Sequence, residues 1–264
     1  MNGFQELFGY PIAAATMDEA VGLCKRAIED RRPLQIGVVN AAKIVNAEDD
    51  PALRTALDSC DVILADGQSV VWASRLLGRP LPERITGIDL FTNLLAYASQ
   101  EGRSVFLLGA TDEVQRLMRE KIANDYPNAH IVGSRNGYFS DLEASDIADE
   151  IAAAQPDMLF LGMTSPKKEI FMDRFGERMG VPVVHGVGGS FDILAGITKR
   201  APQGWQKAGM EWAYRVVQEP GRMWKRYLRT NFLFVFLLMR EFARPTARHL
   251  ELVPAAPRAI EAVR

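Results

Sequence analysis

Thiols are scarce in this chain: Cys24 and Cys60 are the only cysteines in 264 residues. Two isolated cysteines in apolar contexts form neither a zinc site nor a disulfide framework, so buried, reduced thiols are expected. Histidine is almost as rare. His130 and His249 lack partners at useful spacing, and His185 lies inside an apolar strand pattern, where it reads as a hydrogen-bonded core residue. Long hydrophobic runs are missing too: the strongest, Phe232 to Met239, is far short of the roughly 20 residues that span a bilayer. The net charge of −2 argues against a general nucleic-acid binder. The opening MNGFQELFGY has neither a basic segment nor an apolar core, so no signal peptide is expected and a cytoplasmic location is. Motif absences narrow the chemistry further. There is no Gly-x-x-x-x-Gly-Lys-Ser/Thr loop, no Gly-x-Ser-x-Gly elbow and no complete Gly-x-Gly-x-x-Gly fingerprint. An Asp-x-Asp pair at a strand end, the usual metal clamp for a sugar-nucleotide diphosphate, is missing as well, so neither a metal nor a cofactor is expected.

What is present is an alternation of short apolar runs and helical patterns. LQIGVV (34–39), DVILA (61–65), SVFLL (104–108), HIVG (130–133), MLFL (158–161) and the valines from Val181 to Val184 read as strands, and most of them run into glycine or a polar residue. Phe4 to Leu7 and Tyr10 to Ala14 are compatible with a hairpin hinged at Gly9. Helical patterns cover Thr16 to Asp30, Ala41 to Asn46, Pro51 to Ser59, Ser69 to Leu77, Thr111 to Tyr126, Ser140 to Ala154 and Pro166 to Met179. Thr16-x-x-Glu19 and Ser140-x-x-Glu143 read as capping boxes. Strands alternating with helices of this length indicate an α/β fold, a Rossmann-like, mainly parallel sheet with helices on both faces. The rhythm stops near residue 203. The expected organisation is an α/β core over 1–203, a basic amphipathic helical appendage over 204–244 that associates with a membrane, and a frayed end over 245–264.

In such a sheet ligands bind outside the carboxyl ends of the strands, so Asn40, Asp66, Gly109, Gly137 with Tyr138, Gly162 to Lys168, and Gly186 to Asp192 form one rim. Gly186, Gly188 and Gly189 let the backbone approach a ligand, or simply make a tight strand-to-helix turn. Asp66 follows four apolar residues and suits a general base; capping the helix from Ser69 is an equally good reading. Asp192 either caps the short helix after the glycines or accepts hydrogen bonds from a nucleoside ring or ribose. Lys167 and Lys168 at a helix start oppose the helix dipole, which favours an anionic ligand over a charged first turn. Arg79 and Arg84, from a proline-bounded loop, either reach phosphate or are solvated.

The tail is basic: residues 210–250 carry a surplus of five positive charges, balanced by a deficit of seven over residues 1–209. Arg215, Arg222, Arg226 and Arg229 fall on one helical face if the axis survives Pro220, with Trp224, Tyr227 and Leu228 interleaved. This suits a helix lying in a membrane interface or a lid bringing guanidinium groups over a diphosphate. Packing within a homo-oligomer is the other reading of the same apolar run.

The blocks VVNAAKIVNAEDDPALRTAL, DVILADGQSVVWASRLLG, RITGIDLF, FLLGA, NGYF, FLGMTSPKKEIF, GVGGSFDILAGITKRAP and GMEWAYRVVQEPGRMWKRY resemble the WecG/TagA/CpsF family of bacterial glycosyltransferases (glycosyltransferase family 26). The resemblance implies an inverting, metal-independent hexosyltransferase. It would move a sugar from a UDP-sugar to a polyprenyl-diphosphate-linked saccharide, working peripherally on the cytoplasmic face of the membrane in cell-surface polysaccharide synthesis. By the same resemblance the base falls on Asp66, the acceptor-side arginine on Arg84 and the strand-end asparagine on Asn40. Uridine and sugar contacts fall on Gly109, Tyr138, Gly188 and Asp192, and the cations that close over the diphosphate on Arg215, Arg222 and either Lys225 or Arg226. Two departures touch sugar or acceptor contacts: Val38-Val39-Asn40 replaces Thr-x-Asn, and Lys167-Lys168-Glu169 replaces Lys-Gln-Glu. They leave an N-acetylmannosamine type, its uronic acid and glucose open as donors, the charge of Lys168 being compatible with an acidic sugar. An NAD-dependent oxidoreductase and a non-catalytic, membrane-docked sugar-nucleotide binder are the competing readings of the same rim.

Overall fold

The computed structural model describes residues 3–243 except 208 and 219, and for 207, 215, 222, 223, 225 and 226 the backbone alone. The expectation for 245–264 lies outside the described residues. The chain opens with the antiparallel hairpin β1 (Phe4–Leu7) and β2 (Tyr10–Ala13). Phe8 and Gly9 between them have φ of 56° and 75°, the left-handed pair that a two-residue hairpin needs. Helix α1 (Met17–Glu29) starts at a complete capping box, with the Thr16 amide 3.0 Å from Glu19 Oε2 and the Glu19 amide 3.3 Å from Thr16 Oγ1.

Strand β3 (Leu34–Val39) leads to α2 (Ala41–Asp49) and α3 (Pro51–Asp58), then β4 (Val62–Ala65) and α4 (Gln68–Leu76). Next comes α5 (Gly87–Glu101), capped by Thr86, a 15-residue helix that the sequence patterns left unassigned. There follow β5 (Ser104–Gly109), α6 (Asp112–Asp125), β6 (His130–Arg135), α7 (Ala144–Ala154), β7 (Met158–Gly162), α8 (Lys167–Met179), β8 (Val183–Gly186) and α9 (Ser190–Leu194). The capping box expected at Ser140 is a turn instead. The Ser140 amide and hydroxyl both donate to Glu143 Oε2 at 2.8 Å, so the hydroxyl proton goes to the carboxylate and Glu143 itself takes the N-cap position of α7. Helices α10 (Gln203–Lys207), α11 (Glu211–Gln218) and α12 (Pro220–Phe242) complete the described chain.

The eight strands form one sheet in the order β1-β2-β4-β3-β8-β7-β5-β6, antiparallel at the β1/β2 edge and parallel elsewhere. Alternate residues face opposite layers, as the two-residue period of a strand requires. Ile36, Leu64, Leu107 and Phe160 pack with α1, α5 and α6, while Val39, Ile63, Phe106 and Leu161 pack with α2, α3, α7 and α8. Burial on both faces explains why these strands are continuous apolar runs. The topology matters most between β3 and β8. The helix after β3, α2, covers one face through Ile44 and Val45, whereas α9, after β8, sends Phe191 into the other. Chain segments leaving adjacent parallel strands in opposite directions open a crevice at the carboxyl edge, where open α/β sheets bind ligands.

Helix α12 has two apolar faces. Phe234 and Leu237 are buried on the α2 side, and Phe8 and Phe234 stack with ring centroids 5.1 Å apart. Trp224, Leu228, Phe232, Val235, Phe236, Met239 and Phe242 lie exposed on the other side. No helix among the described residues is long and apolar enough to cross a membrane.

Candidate active site

Asp66 stands one residue past β4, its amide donating to Val39 O at 2.9 Å so that the β3/β4 pairing runs on to the rim. Its half-buried carboxylate is held at two points: Oδ1 accepts from the Gly87 amide at 3.0 Å and Oδ2 from Asn40 Nδ2 at 3.4 Å. Gly87 is the first residue of α5, so the carboxylate faces a helix N-terminus, where the peptide dipoles favour negative charge. It does not cap α4, whose N-cap Gly67 makes no side-chain bond. Asn40 serves two elements at once, because its Oδ1 also accepts from the Lys43 amide at 3.0 Å and so caps α2.

Gly87 is gripped from behind as well. His185, fully buried on β8, has Nε2 3.1 Å from Gly87 O, and a carbonyl can only accept, so Nε2 carries the proton. Burial pushes this imidazole down to about 4, so it is neutral at physiological pH. His185 is therefore the hydrogen-bonded core residue that the sequence suggests, and it helps to fix the amide that holds Asp66.

Beneath the crevice lies a buried charge triad. Lys43 and Lys168 both place Nζ 2.8 Å from Glu169 Oε1, and Lys43 Nζ also donates to Val38 O. Burial alone would raise the Glu169 carboxyl, but the two ammonium groups outweigh it and hold the group at about 2. Two ammonium groups share one carboxylate, so one positive charge is surplus. Burial, with Lys43 alongside, pushes Lys168 down to about 8. Both lysines at the start of α8 have partners within the chain. Lys168 meets Glu169, and Lys167 Nζ donates to Gly137 O at 3.0 Å and Phe139 O at 2.8 Å, pinning the turn that carries Tyr138. Tyr138 itself is 79% exposed.

Glycine is required at two rim positions. Gly109 has φ of 144°, and a Cβ there would sit 2.4 Å from the backbone of Gly162, its register partner on β7. Gly188 has φ of 55°, and Lys168 Nζ lies 4.0 Å from where its Cβ would be, so the ammonium underlies this turn. Gly189 is the N-cap of α9, and half-buried Asp192 follows within the first turn, its carbonyl accepting from the amides of Ile197 and Thr198.

The arginines are not solvated. Arg79 Nη1 donates to Glu6 O at 2.6 Å and lies 3.2 Å from Glu241 of α12, and Arg84 Nη1 lies 3.3 Å from Glu211 Oε2 of α11. Arg200, which sequence reasoning passed over, clasps Asp89 with two bonds of 2.6 and 2.8 Å. Asp89 is in turn hydrogen-bonded to Thr86 Oγ1, and Arg200 Nη2 lies 3.9 Å from Glu211 Oε1. With Arg200 clasping it, Asp89 has a carboxyl held below its ordinary value even though burial acts the other way. The charge of Asp66 acts on Arg200, Lys168 and His185, so the carboxylate, the arginine cluster and the buried triad share one electrostatic neighbourhood. The Thr86-x-x-Asp89 spacing was the available signal for this N-terminus; nothing local marks Arg200.

Backbone alone is described for Arg215, in α11, and for Arg222, Lys225 and Arg226, in α12; their side chains lie outside the described residues. The α12 arginines whose side chains are described turn to α2: Arg240 lies 2.7 Å from Glu48 and Arg229 4.0 Å from Asp49.

Comparison with known proteins comes down on one family. The model described as "Glycosyl transferase WecG/TagA/CpsF family" matches residues 5–248. Two curated relatives carry the name N-acetylglucosaminyldiphosphoundecaprenol N-acetyl-beta-D-mannosaminyltransferase. The protein from Bacillus spizizenii is 40% identical over 182 residues, 69% of this chain and 70% of its own length. The one from Bacillus subtilis is 37% identical over 204 residues, 77% of this chain and 78% of its own length.

Proposed function

Since the chain belongs to the WecG/TagA/CpsF glycosyl transferase family, we propose that it moves an N-acetylmannosamine-type sugar from its UDP carrier to a saccharide linked through a diphosphate to a polyprenyl lipid. The relatives' names support both the sugar and the lipid-diphosphate acceptor. The observation that carries the reading is the Asp66 carboxylate, oriented by Gly87 and Asn40 on the carboxyl edge of the sheet, where β4 lies beside the β3/β8 switch.

In this mechanism Asp66 takes the proton of the acceptor hydroxyl as that oxygen attacks the anomeric carbon from the face opposite UDP. A single in-line displacement inverts the centre, and Asp66 is the one carboxylate assigned to it. Cationic side chains, rather than a metal, neutralise the departing diphosphate; Arg84 and Arg200 at the rim support this. Fixed cations aimed at developing charge work best in a site that excludes bulk water. Asn40, Gly109, Gly188, Gly189, Asp192 and Tyr138 line the donor side in this reading, with Lys168 below the sugar.

The acceptor is a membrane lipid, and the exposed stripe of α12 supports peripheral attachment. Trp224, Leu228, Arg229 and Phe232 line an open groove of about 560 Å³ there, and such aromatic and aliphatic side chains bury in the headgroup boundary. The test is a panel of UDP-sugars assayed for UDP release with polyprenyl-diphosphate-linked N-acetylglucosamine. UDP-N-acetylmannosamine is expected to turn over. Binding of UDP-sugars without transfer to any lipid-linked acceptor would overturn the proposal.

A further inference from the structure

The charged groups around Arg200 are unequally matched. Asp89 meets Arg200 through two short, parallel bonds of 2.6 and 2.8 Å, the strong geometry for a guanidinium and a carboxylate. Glu211, reaching in from the first turn of α11, has no such fit. Its Oε2 lies 3.3 Å from Arg84 Nη1 and its Oε1 3.9 Å from Arg200 Nη2, so one carboxylate is stretched between two arginines. Glu211 Oε1 and Arg200 Nε are also both buried without a hydrogen-bond partner among the described residues. Buried polar atoms normally find partners, and two failures in one cluster mark a place where something else fits better. One carboxylate cannot make paired bonds to two guanidinium groups at once. The terminal oxygens of a diphosphate are more widely spread and carry more charge. The cluster also adjoins Asp66, whose charge acts on Arg200.

We propose that Arg84 and Arg200 form a binding fork for a diphosphate group, and that Glu211 is the internal anion which this group displaces. Arg200 is anchored by Asp89 and stays in place; Glu211 is the movable member. Entry of the ligand then frees the first turn of α11, which links occupancy of the crevice to the position of the C-terminal helices. The inference rests on the glycosyl-transfer reading for the presence of a diphosphate, which arrives either as part of the UDP donor or as the headgroup of the lipid acceptor.

The experiment is calorimetric titration of the full chain and its Glu211→Gln variant with inorganic diphosphate, UDP and geranyl diphosphate. Removing the competing charge is expected to tighten inorganic diphosphate about tenfold. Tightening of UDP assigns the fork to the donor, and tightening of geranyl diphosphate assigns it to the acceptor. Unchanged or weaker binding of all three probes overturns the proposal. A second measurement needs no variant: amide hydrogen exchange over residues 211–218 of the wild type should speed up when inorganic diphosphate is added, and unchanged exchange at saturation counts against displacement. Neither readout depends on sugar transfer. Tightened diphosphate binding in a chain that transfers no sugar would leave the fork standing while the functional reading falls.

Discussion

The Asp66 carboxylate accepts a hydrogen bond from the Gly87 amide at 3.0 Å, joining the end of β4 to the start of α5. The carbonyl of the same glycine accepts a hydrogen bond from His185, so the residue that orients Asp66 is itself anchored to β8. If Asp66 is the general base, Asp66→Asn is expected to lower kcat by about 10²–10⁴ while the Kd for UDP is unchanged. Steady-state kinetics paired with UDP titration checks this. An equal loss in both would mean that Asp66 supports the pocket without reacting.

Glu169 is expected to be worth far more to stability than its partner Lys168. Glu169→Gln leaves two buried ammonium groups without a counter-ion and should cost about 3–5 kcal/mol. Lys168→Gln removes only the surplus charge and keeps the Lys43–Glu169 pair, so its cost should be well under half of that. Urea unfolding of the two variants decides it, and equal losses would mean that the charges do not act as a triad.

The same triad gives the stability curve two opposed limbs. Glu169 is depressed from 4.5 to about 2, so the stability it contributes is fully present above 4.5 and is lost as pH falls toward 2. Lys168 is depressed from 10.5 to about 8, so the cost of burying its charge is present at neutral pH and is relieved as pH rises from 8 toward 10.5. Thermal unfolding across this range should show Lys168→Gln losing the alkaline gain and Glu169→Gln losing the acid slope. An alkaline limb that survives Lys168→Gln belongs to other groups.

The sheet was legible because most of the parallel strands are short apolar runs that end in glycine or a polar residue, as in SVFLLG and MLFLG. The rim followed from the strand ends. Helix α5 was not read although Leu90, Phe91, Leu94, Leu95 and Ala98 recur at helical spacing; its capping acid is Asp89 where a glutamate would have been looked for. The ion pairs were invisible for a different reason: Arg200 and Asp89 are 111 residues apart, and no local spacing announces them. The position of Lys168 at a helix start suggested an anionic ligand; its pairing with Glu169 beneath Gly188 was not legible, because the inward turn of α8 is set by packing and not by local spacing. Ser140 and Glu143 had the right spacing for a capping box, but the serine donates where a cap must accept.

The two faces of α12 are expected to separate stability from membrane binding. Phe234 and Leu237 complete the core over α2, so truncating either to alanine should cost about 2–5 kcal/mol. Phe232 and Phe236 are 74% and 61% exposed, so replacing both with serine should change stability by no more than about 0.5 kcal/mol each. If the outer stripe docks in a bilayer, the same double variant should fail to co-sediment with vesicles containing anionic lipid, while Phe234→Ala still does. It follows that a fragment ending near residue 203 loses more than an appendage: Phe8 and the α2 surface are uncovered, and the fragment should unfold at a lower temperature than the full chain. A fragment as stable as the full chain would mean that α12 adds nothing to the core it covers.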